Sequence, residues 1–367
     1  LGLGSLVLAW PRRRLHTLDK MILALAVFYF VSLLFHLNQP SAGYLSFHAF
    51  FIPTLAYFMV RAFVNTQEKF ATASGFLVWG ITGFCLACVI QYLVTLKRIN
   101  FLGAPAVSVA TLAMVPVLLG IAAGPERRTA AKIALGICLL CLTLTFSRMY
   151  LFYLLLSFPL LGLIRRGKAL AVYWTFMMVS LALTVALAMA LPEEIATLPD
   201  EVLVAEFIDK KAQQTEVSPQ RLVDPGFFLE TMQVRAILYH RGISQFLAHP
   251  LAGTGLRADS LIYAQHNLHV AWLEYGGILG YILCAGMLAA FIRRMALPAR
   301  KDGYLAGCLL LLLAILLNAL TNGIMHGFFP YVLYLTMGMG QARLQLLEAE
   351  ESATRTPGTR FRRKEAL

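Results

Sequence analysis

One histidine and a small set of arginines in this sequence could do chemistry together. His266, followed by Asn267, begins an apolar run. A neutral imidazole can take a proton from a hydroxyl group and act as a general base. Arginine binds phosphate oxygens through a planar, permanently charged fork, and Arg148 and Arg235 both lie within apolar surroundings. These residue types favour proton abstraction beside a phosphate-containing group.

The composition indicates where such residues must be held. Hydrophobic residues make up 59% of the chain and charged residues 14%, against about 45–50% and about 25% in a soluble domain. The formal net charge of +12 comes mostly from basic clusters between apolar runs, which is typical of the positive-inside bias. We therefore expect a polytopic membrane protein surrounded by membrane lipids, with no nucleic-acid partner.

Apolar runs of roughly 20 residues predict membrane-spanning helices. With a partial run at 1–10 there are about eleven, and a cytoplasmic N-terminus would need one more, so we expect an all-α protein of about twelve spans. The runs lie near 21–36, 46–63, 73–95, 105–123, 131–147, 149–164, 169–191, 267–292, 304–321 and 328–346.

The same pattern predicts four regions: transmembrane helices over 1–191, a hydrophilic periplasmic loop domain over 192–265, transmembrane helices over 266–347, and a basic cytoplasmic tail over 348–367. Alternating helices leave nearly every basic cluster in the cytoplasm. The cytoplasmic positions are Arg12, Arg61, Lys69, Arg127, Arg165 and Arg293.

Arg148 interrupts a long apolar stretch, which predicts two short helices turning there. A charge near membrane level is costly and marks a candidate functional residue. Within the hydrophilic segment an amphipathic helix is expected after Pro225, with Arg235 inside its apolar stripe. Gly253 and Gly255 predict a turn.

Two interpretations of His266 stay open. The positive end of the helix that it opens disfavours imidazolium, so His266 could be a neutral general base. It could also simply cap the helix. Within that helix the pattern predicts close packing at Gly276, Gly277 and Gly280, and Glu274 needs a partner, most simply an arginine.

Metal ligands are not expected. The C-x-x-C pairs Cys85/Cys88 and Cys138/Cys141 lie inside apolar runs, where they predict helix packing rather than a zinc site. The outer loops near 37–46 and 96–104 contain no Asp or Glu, although a metal-bound pyrophosphate would need carboxylates there. The candidates on that side are arginines, which can bind a pyrophosphate without metal.

The sequence resembles one known family. His266-Asn267, nine residues and Gly277-Ile-Leu-Gly280 match the H-[NSQ]-x9-G-x-x-G pattern of bacterial O-antigen ligases. The stretch from Arg235 to Gly255 resembles a block of the wider O-antigen ligase/polymerase superfamily. Thr145-Phe-Ser-Arg148 is similar to the superfamily's S-R-G segment, with Met149 in place of glycine.

The resemblance implies a metal-independent, inverting transferase of the membrane-embedded (GT-C-like) glycosyltransferase class at the periplasmic face of the bacterial inner membrane, with no cofactor. His266 would deprotonate an acceptor hydroxyl of lipid A-core, which attacks O-antigen carried on undecaprenyl pyrophosphate. Asn267 and Glu274 would support the site. The arginines that would stabilise the departing pyrophosphate are Arg148, Arg221, Arg235, Arg241 and Arg257.

Other functions make different demands on the sequence. An O-antigen polymerase or a protein O-oligosaccharyltransferase of the same superfamily would differ only in its acceptor. A transporter would show an internal repeat and broken helices at mid-membrane, and the sequence has no visible repeat. A purely structural membrane protein would leave His266 and the arginines unexplained.

Overall fold

The structure, a computed structural model, describes residues 15–35, 46–96, 99, 113–115, 128–145, 148–191, 225–256, 267–319 and 329–355. These residues form ten α-helices and no strand. The helices are α1 (Thr17–Leu34), α2 (Ile52–Phe63), α3 (Gln67–Thr95), α4 (Arg128–Leu144), α5 (Arg148–Arg165), α6 (Ala169–Met189), α7 (Pro225–Ala248), α8 (Leu268–Ala296), α9 (Gly303–Ala319) and α10 (Phe329–Arg355).

Several helices have the length and composition of membrane spans. Among the described residues, α1, α3, α6 and α8 are long and apolar enough to cross a membrane, and four shorter apolar helices accompany them. Large apolar side chains such as Phe76, Leu93 and Leu183 point outward, as lipid-facing residues do. The chain is therefore an all-α membrane protein, as the composition predicted.

Some predicted spans cannot be compared with the structure. The run at 1–10 and most of the run at 105–123 lie outside the described residues, so the total of about twelve spans and the GT-C-like class stay predictions. The break between two short helices is confirmed, because α4 ends at Leu144 and α5 begins at Arg148.

The cysteine pairs pack where α3 meets α4. All six cysteines are buried in helices, and the Cys85 thiol contacts Cys138 and Cys141 across this interface. Small polarizable side chains allow two helices to approach closely. The two C-x-x-C motifs therefore contribute to helix packing.

Polar contacts connect the termini of several helices at one end of the bundle, here called the Arg294 end. Asp19 in the first turn of α1 forms a buried ion pair with Arg61 near the end of α2, and Tyr57 donates to the same carboxylate at 2.8 Å. Arg294 near the end of α8 lies 3.4 Å from Glu348 of α10. Arg165 at the end of α5 donates to the Arg300 carbonyl.

At the opposite end of the bundle, here called the Asn267 end, hydrogen bonds connect other helix termini. Asn267 at the start of α8 donates to Thr184 near the end of α6 at 2.8 Å. Tyr153 in the second turn of α5 donates to the Leu317 carbonyl of α9 at 2.6 Å. Helices α2, α5 and α8 therefore end at the Arg294 end, whereas α6 and α9 end at the Asn267 end. Arg61, Arg165 and Arg293 share one end, as the basic clusters predicted.

Single cysteines at the two ends should react from opposite sides of the membrane. Arg166 and Arg300 are exposed at the Arg294 end, and Leu247 is exposed near the end of α7. In the predicted topology a membrane-impermeant maleimide added to intact spheroplasts labels Leu247→Cys, whereas Arg166→Cys and Arg300→Cys react only after the membrane is opened. The six native cysteines are buried and give little background. Labelling of Leu247→Cys only from the cytoplasm would overturn the topology.

Candidate active site

Helix α8 is broken at Gly277, one-third of the way along its length. Gly277 has φ 59° and ψ −161°, far from helical values. In a continuous helix the amides of Ile278 and Leu279 would donate to the carbonyls of Glu274 and Tyr275. The break frees these four polar groups at membrane level, where each needs another partner.

A turn at residues 249–256 supplies those partners. The Ile278 amide donates to the Pro250 carbonyl at 2.9 Å, and the Leu279 amide donates to the Leu251 carbonyl at 3.2 Å. In return the amides of residues 254 and 255 donate to the carbonyls of residues 274 and 275 at 2.7 and 3.2 Å. Two helical hydrogen bonds are thus replaced by four bonds between segments distant in sequence.

Glycine is required on both sides of this contact. A Cβ atom on Gly253 would lie 2.5 Å from the Glu274 carbonyl oxygen, and one on Gly277 would overlap the Leu251 carbonyl group. Gly253, Gly255 and Gly277 all have positive φ, which costs other residues free energy. The predicted turn at Gly253 and Gly255 is confirmed.

The packing prediction holds for two of the three glycines in α8. Gly276 and Gly280 face the aromatic rings of Phe28 and Tyr29 on α1, so they allow close helix approach. The prediction was wrong for Gly277, which breaks the helix and docks the turn. A glycine inside an apolar run is usually a packing residue, and the sequence alone gives no sign that the predicted turn docks against Gly277.

Asn267 fixes the start of α8. Its side-chain oxygen accepts from the amides of His269 at 2.8 Å and Val270 at 3.2 Å, and its side-chain nitrogen donates to Thr184 of α6. Tyr239 of α7 also hydrogen bonds to Asn267. Asn267 is therefore the N-cap of α8. The interpretation of His266 as the helix cap is wrong.

Helix α7 contains two of the predicted arginines, Arg235 and Arg241, and packs against α6 and the first part of α8. Val234, Leu238 and Tyr239 pack against Ala188 of α6 and Val270 of α8. The docked turn follows directly at residue 249, so both ends of the α7–α8 connection are anchored to α8.

Arg235 is the charged residue that this packing places between helices. It is partly buried, and burial lowers the pKa of its guanidinium while nearby Tyr239 and Tyr153 act in the opposite direction; arginine nevertheless stays charged in proteins. Among the described residues no carboxylate forms an ion pair with Arg235. A partly buried cation with no ion-pair partner in the described part of the chain is suited to an anionic ligand.

Two contacts place Arg235 near the N-terminal parts of α5 and α8. Tyr153 lies five residues after Arg148, which begins α5, and Tyr239 links Arg235 to Asn267 at the start of α8. Helix N-termini carry partial positive charge that favours anions. Arg148, Arg235 and Asn267 therefore belong to one region of the Asn267 end, although the Arg148 side chain is not described.

The remaining predicted residues divide into two groups. Arg241 is partly buried farther along α7, and Glu274 is partly buried beside the break, where its carbonyl accepts from Thr254; an arginine partner for its carboxylate stays a prediction. His266, Arg221 and Arg257 lie outside the described residues, and so their roles also stay predictions.

Comparison with known proteins covers this whole region. Residues 133–285 match the model of a family described as O-Antigen ligase. The match contains every candidate site residue, and it supports assignment of the chain to the O-antigen ligase superfamily. A ligase or polymerase role within that superfamily is thereby supported. No curated protein matches the chain.

We expect that replacing Gly253 or Gly277 with a larger residue destabilises the protein, because both lie in the contact between the turn and the break in α8. Gly277→Ala and Gly253→Ala each force a Cβ into backbone and a positive φ onto alanine, which together cost at least about 1–3 kcal/mol. We expect both variants to lose thermal stability and folded yield in detergent, measured by size-exclusion chromatography after heating.

Gly162→Ala is the matched control, because a Cβ there meets no atom within 4 Å and alanine favours a helix. It should retain wild-type stability. Equal stability of Gly277→Ala and Gly162→Ala would show that the turn does not dock as described.

Proposed function

We propose that this protein is an O-antigen ligase. It transfers O-antigen polysaccharide from undecaprenyl pyrophosphate to the lipid A-core oligosaccharide of lipopolysaccharide, at the periplasmic face of the inner membrane. The observation that carries the proposal is the partly buried Arg235, which makes no ion pair among the described residues. It lies near Tyr153 in the second turn of α5 and near Tyr239, which hydrogen bonds to the Asn267 cap of α8. The family match over the same segment supports it.

The reaction needs a base and a stabilised leaving group. His266 accepts the proton of an acceptor hydroxyl as that oxygen attacks the anomeric carbon of the donor sugar. The new carbon–oxygen bond forms opposite the leaving group, so the anomeric configuration inverts. The bond to the pyrophosphate oxygen breaks, and its electron pair leaves with undecaprenyl pyrophosphate.

Negative charge grows on the pyrophosphate in the transition state, where fixed cations are most effective. Arg148 and Arg235 supply that charge in this proposal, with Arg221, Arg241 and Arg257 at the edge of the site. One guanidinium group can bind two phosphate oxygens at once through two parallel hydrogen bonds. The proposed mechanism therefore needs no metal ion or other cofactor.

Two related functions use the same donor chemistry. An O-antigen polymerase would pass the glycan to another lipid-linked repeat unit, and a protein O-oligosaccharyltransferase would pass it to a hydroxyl side chain. Both belong to the superfamily of the match, and they differ from the ligase in the acceptor alone.

Deletion of the gene separates these functions. Loss of a ligase leaves lipid A-core without O-antigen while lipid-linked polymer accumulates, and a gel of the cell's lipopolysaccharide shows both. Core carrying a single repeat unit would instead identify a polymerase. Unchanged lipopolysaccharide with loss of glycosylated protein would identify a protein O-oligosaccharyltransferase.

His266 and Arg235 should fail differently in a purified transfer assay. His266→Ala should lower the rate about 10²–10⁴-fold, the typical contribution of a general base, and leave binding of lipid-linked donor intact. Arg235→Ala should weaken donor binding as well as the rate, because it removes a charge-assisted contact to pyrophosphate. Arg235→Lys restores the charge without the fork and should recover only part of the activity.

The control for charge removal is Arg166→Ala, since Arg166 is exposed at the Arg294 end; its activity should equal that of the wild type. His266→Asn tests the base directly, because Asn267 already caps α8 and a second amide adds no base. Near-normal transfer by His266→Asn at matched expression would remove His266 from the mechanism.

A further inference from the structure

His269 is a fully buried histidine to which the proposed mechanism gives no role. It lies in the first turn of α8, two residues after the Asn267 cap. Its Nε2 lies 2.5 Å from the Ser180 hydroxyl of α6, and its Nδ1 lies 2.8 Å from the Tyr281 hydroxyl. Tyr281 follows the break at Gly277, so one imidazole ring connects the segment before the break to α6 and to the segment after it.

One arrangement of protons satisfies every group in this chain of contacts. The Ser180 hydroxyl donates to the Met177 carbonyl at 3.1 Å, so its oxygen is free to accept from Nε2–H. The neutral ring then has Nδ1 as an acceptor for the Tyr281 hydroxyl. Every polar group in this chain then has a hydrogen-bond partner, and the links to Ser180 are buried. Satisfied networks of this kind hold side chains in one geometry.

Asn267 makes a second, parallel connection to the same helix. Its side chain donates to Thr184, and Thr184 donates to the Ser180 carbonyl at 2.8 Å. Ser180 and Thr184 are one helical turn apart on α6. The break at Gly277 interrupts the helical hydrogen bonds of the segment 268–276, so its position depends on these contacts and on the docked turn.

We propose that His269 is a positioning residue for His266, and that it acts by locking the segment 268–276 against α6 through Ser180 and against the rest of α8 through Tyr281. The proposal rests on the proposed function, in which His266 is the base. Displacing a reacting group by about 1 Å can cost on the order of 10²-fold in rate. Loss of either hydroxyl contact therefore slows transfer without removing a group that touches substrate.

The first test measures kcat and donor KM for Ser180→Ala, Tyr281→Phe and His269→Ala, per molecule of folded protein. We expect kcat to fall about 10-fold to 100-fold with donor KM nearly unchanged. Ser180→Ala combined with His269→Ala should be little worse than His269→Ala alone, because both remove the same contact. His269→Gln keeps one donor and one acceptor and should recover part of kcat.

Ser157→Ala is the matched control. Ser157 is also buried and donates only to its own helix, at the Tyr153 carbonyl, so it should keep wild-type kcat. Ser180→Ala and Tyr281→Phe each remove a single hydroxyl and keep the shape of the core, which covers the case in which His269→Ala does not fold.

The second test reports position without using the reaction. A cysteine at position 266 is labelled with a membrane-impermeant maleimide, in otherwise wild-type protein and in the Ser180→Ala, Tyr281→Phe and His269→Ala backgrounds. We expect the labelling rate to change at least several-fold in all three backgrounds and to stay unchanged with Ser157→Ala. The native cysteines are buried and contribute little.

The two tests fail separately. Wild-type protein that transfers no lipid-linked glycan would overturn the proposed function, while labelling would still test the positioning of residue 266. Wild-type kcat in the Ser180→Ala and Tyr281→Phe variants would overturn the proposal. A fall in kcat with unchanged labelling at position 266 would also overturn it, because His269 would then act by another route.

Discussion

The contact between the turn at 249–256 and the break at Gly277 determines the geometry of the Asn267 end. A membrane helix cannot leave backbone amides and carbonyls without partners, since lipid offers none. The four hydrogen bonds to the turn meet that requirement and also set where α7 ends relative to α8. Because α7 carries Arg235 and the turn that follows α7 docks on α8, the contact that permits the break also fixes where Arg235 lies relative to the first part of α8.

The sequence predicted the helices well because each depends on local composition. A run of about 20 apolar residues has few alternatives in a membrane, and the interruption at Arg148 indicated where α4 gives way to α5. The grouping of Arg61, Arg165 and Arg293 at one end followed from the basic clusters and the expected alternation of spanning helices. Arg235 and Asn267 were also named from sequence, the first as a charge within an apolar stripe and the second through its motif.

The rest depends on contacts between distant residues, which no local pattern reports. Gly277 looks like a packing glycine until Leu251 is seen against it, and the cap of α8 could be assigned to Asn267 rather than His266 only from the two amides that its side chain accepts. His269 gave no signal at all. A buried histidine in an apolar helix is chemically informative only through its partners, here Ser180 of another helix and Tyr281 beyond the break.

Arg61 and Arg235, at the two ends of the bundle, have different electrostatic environments. At the Arg294 end the charge of Arg61 is neutralised by Asp19, and the Asp19 carboxylate also accepts a hydrogen bond from Tyr57. This buried ion pair connects α1 to α2 and has a structural role. At the Asn267 end Arg235 has Tyr239 and Tyr153 as its described ionisable neighbours. Holding a positive charge that has no ion-pair partner among the described residues costs free energy near membrane level. In the proposed function the pyrophosphate of the donor would offset that cost, so an arrangement that is costly for the protein alone would strengthen binding of an anionic donor.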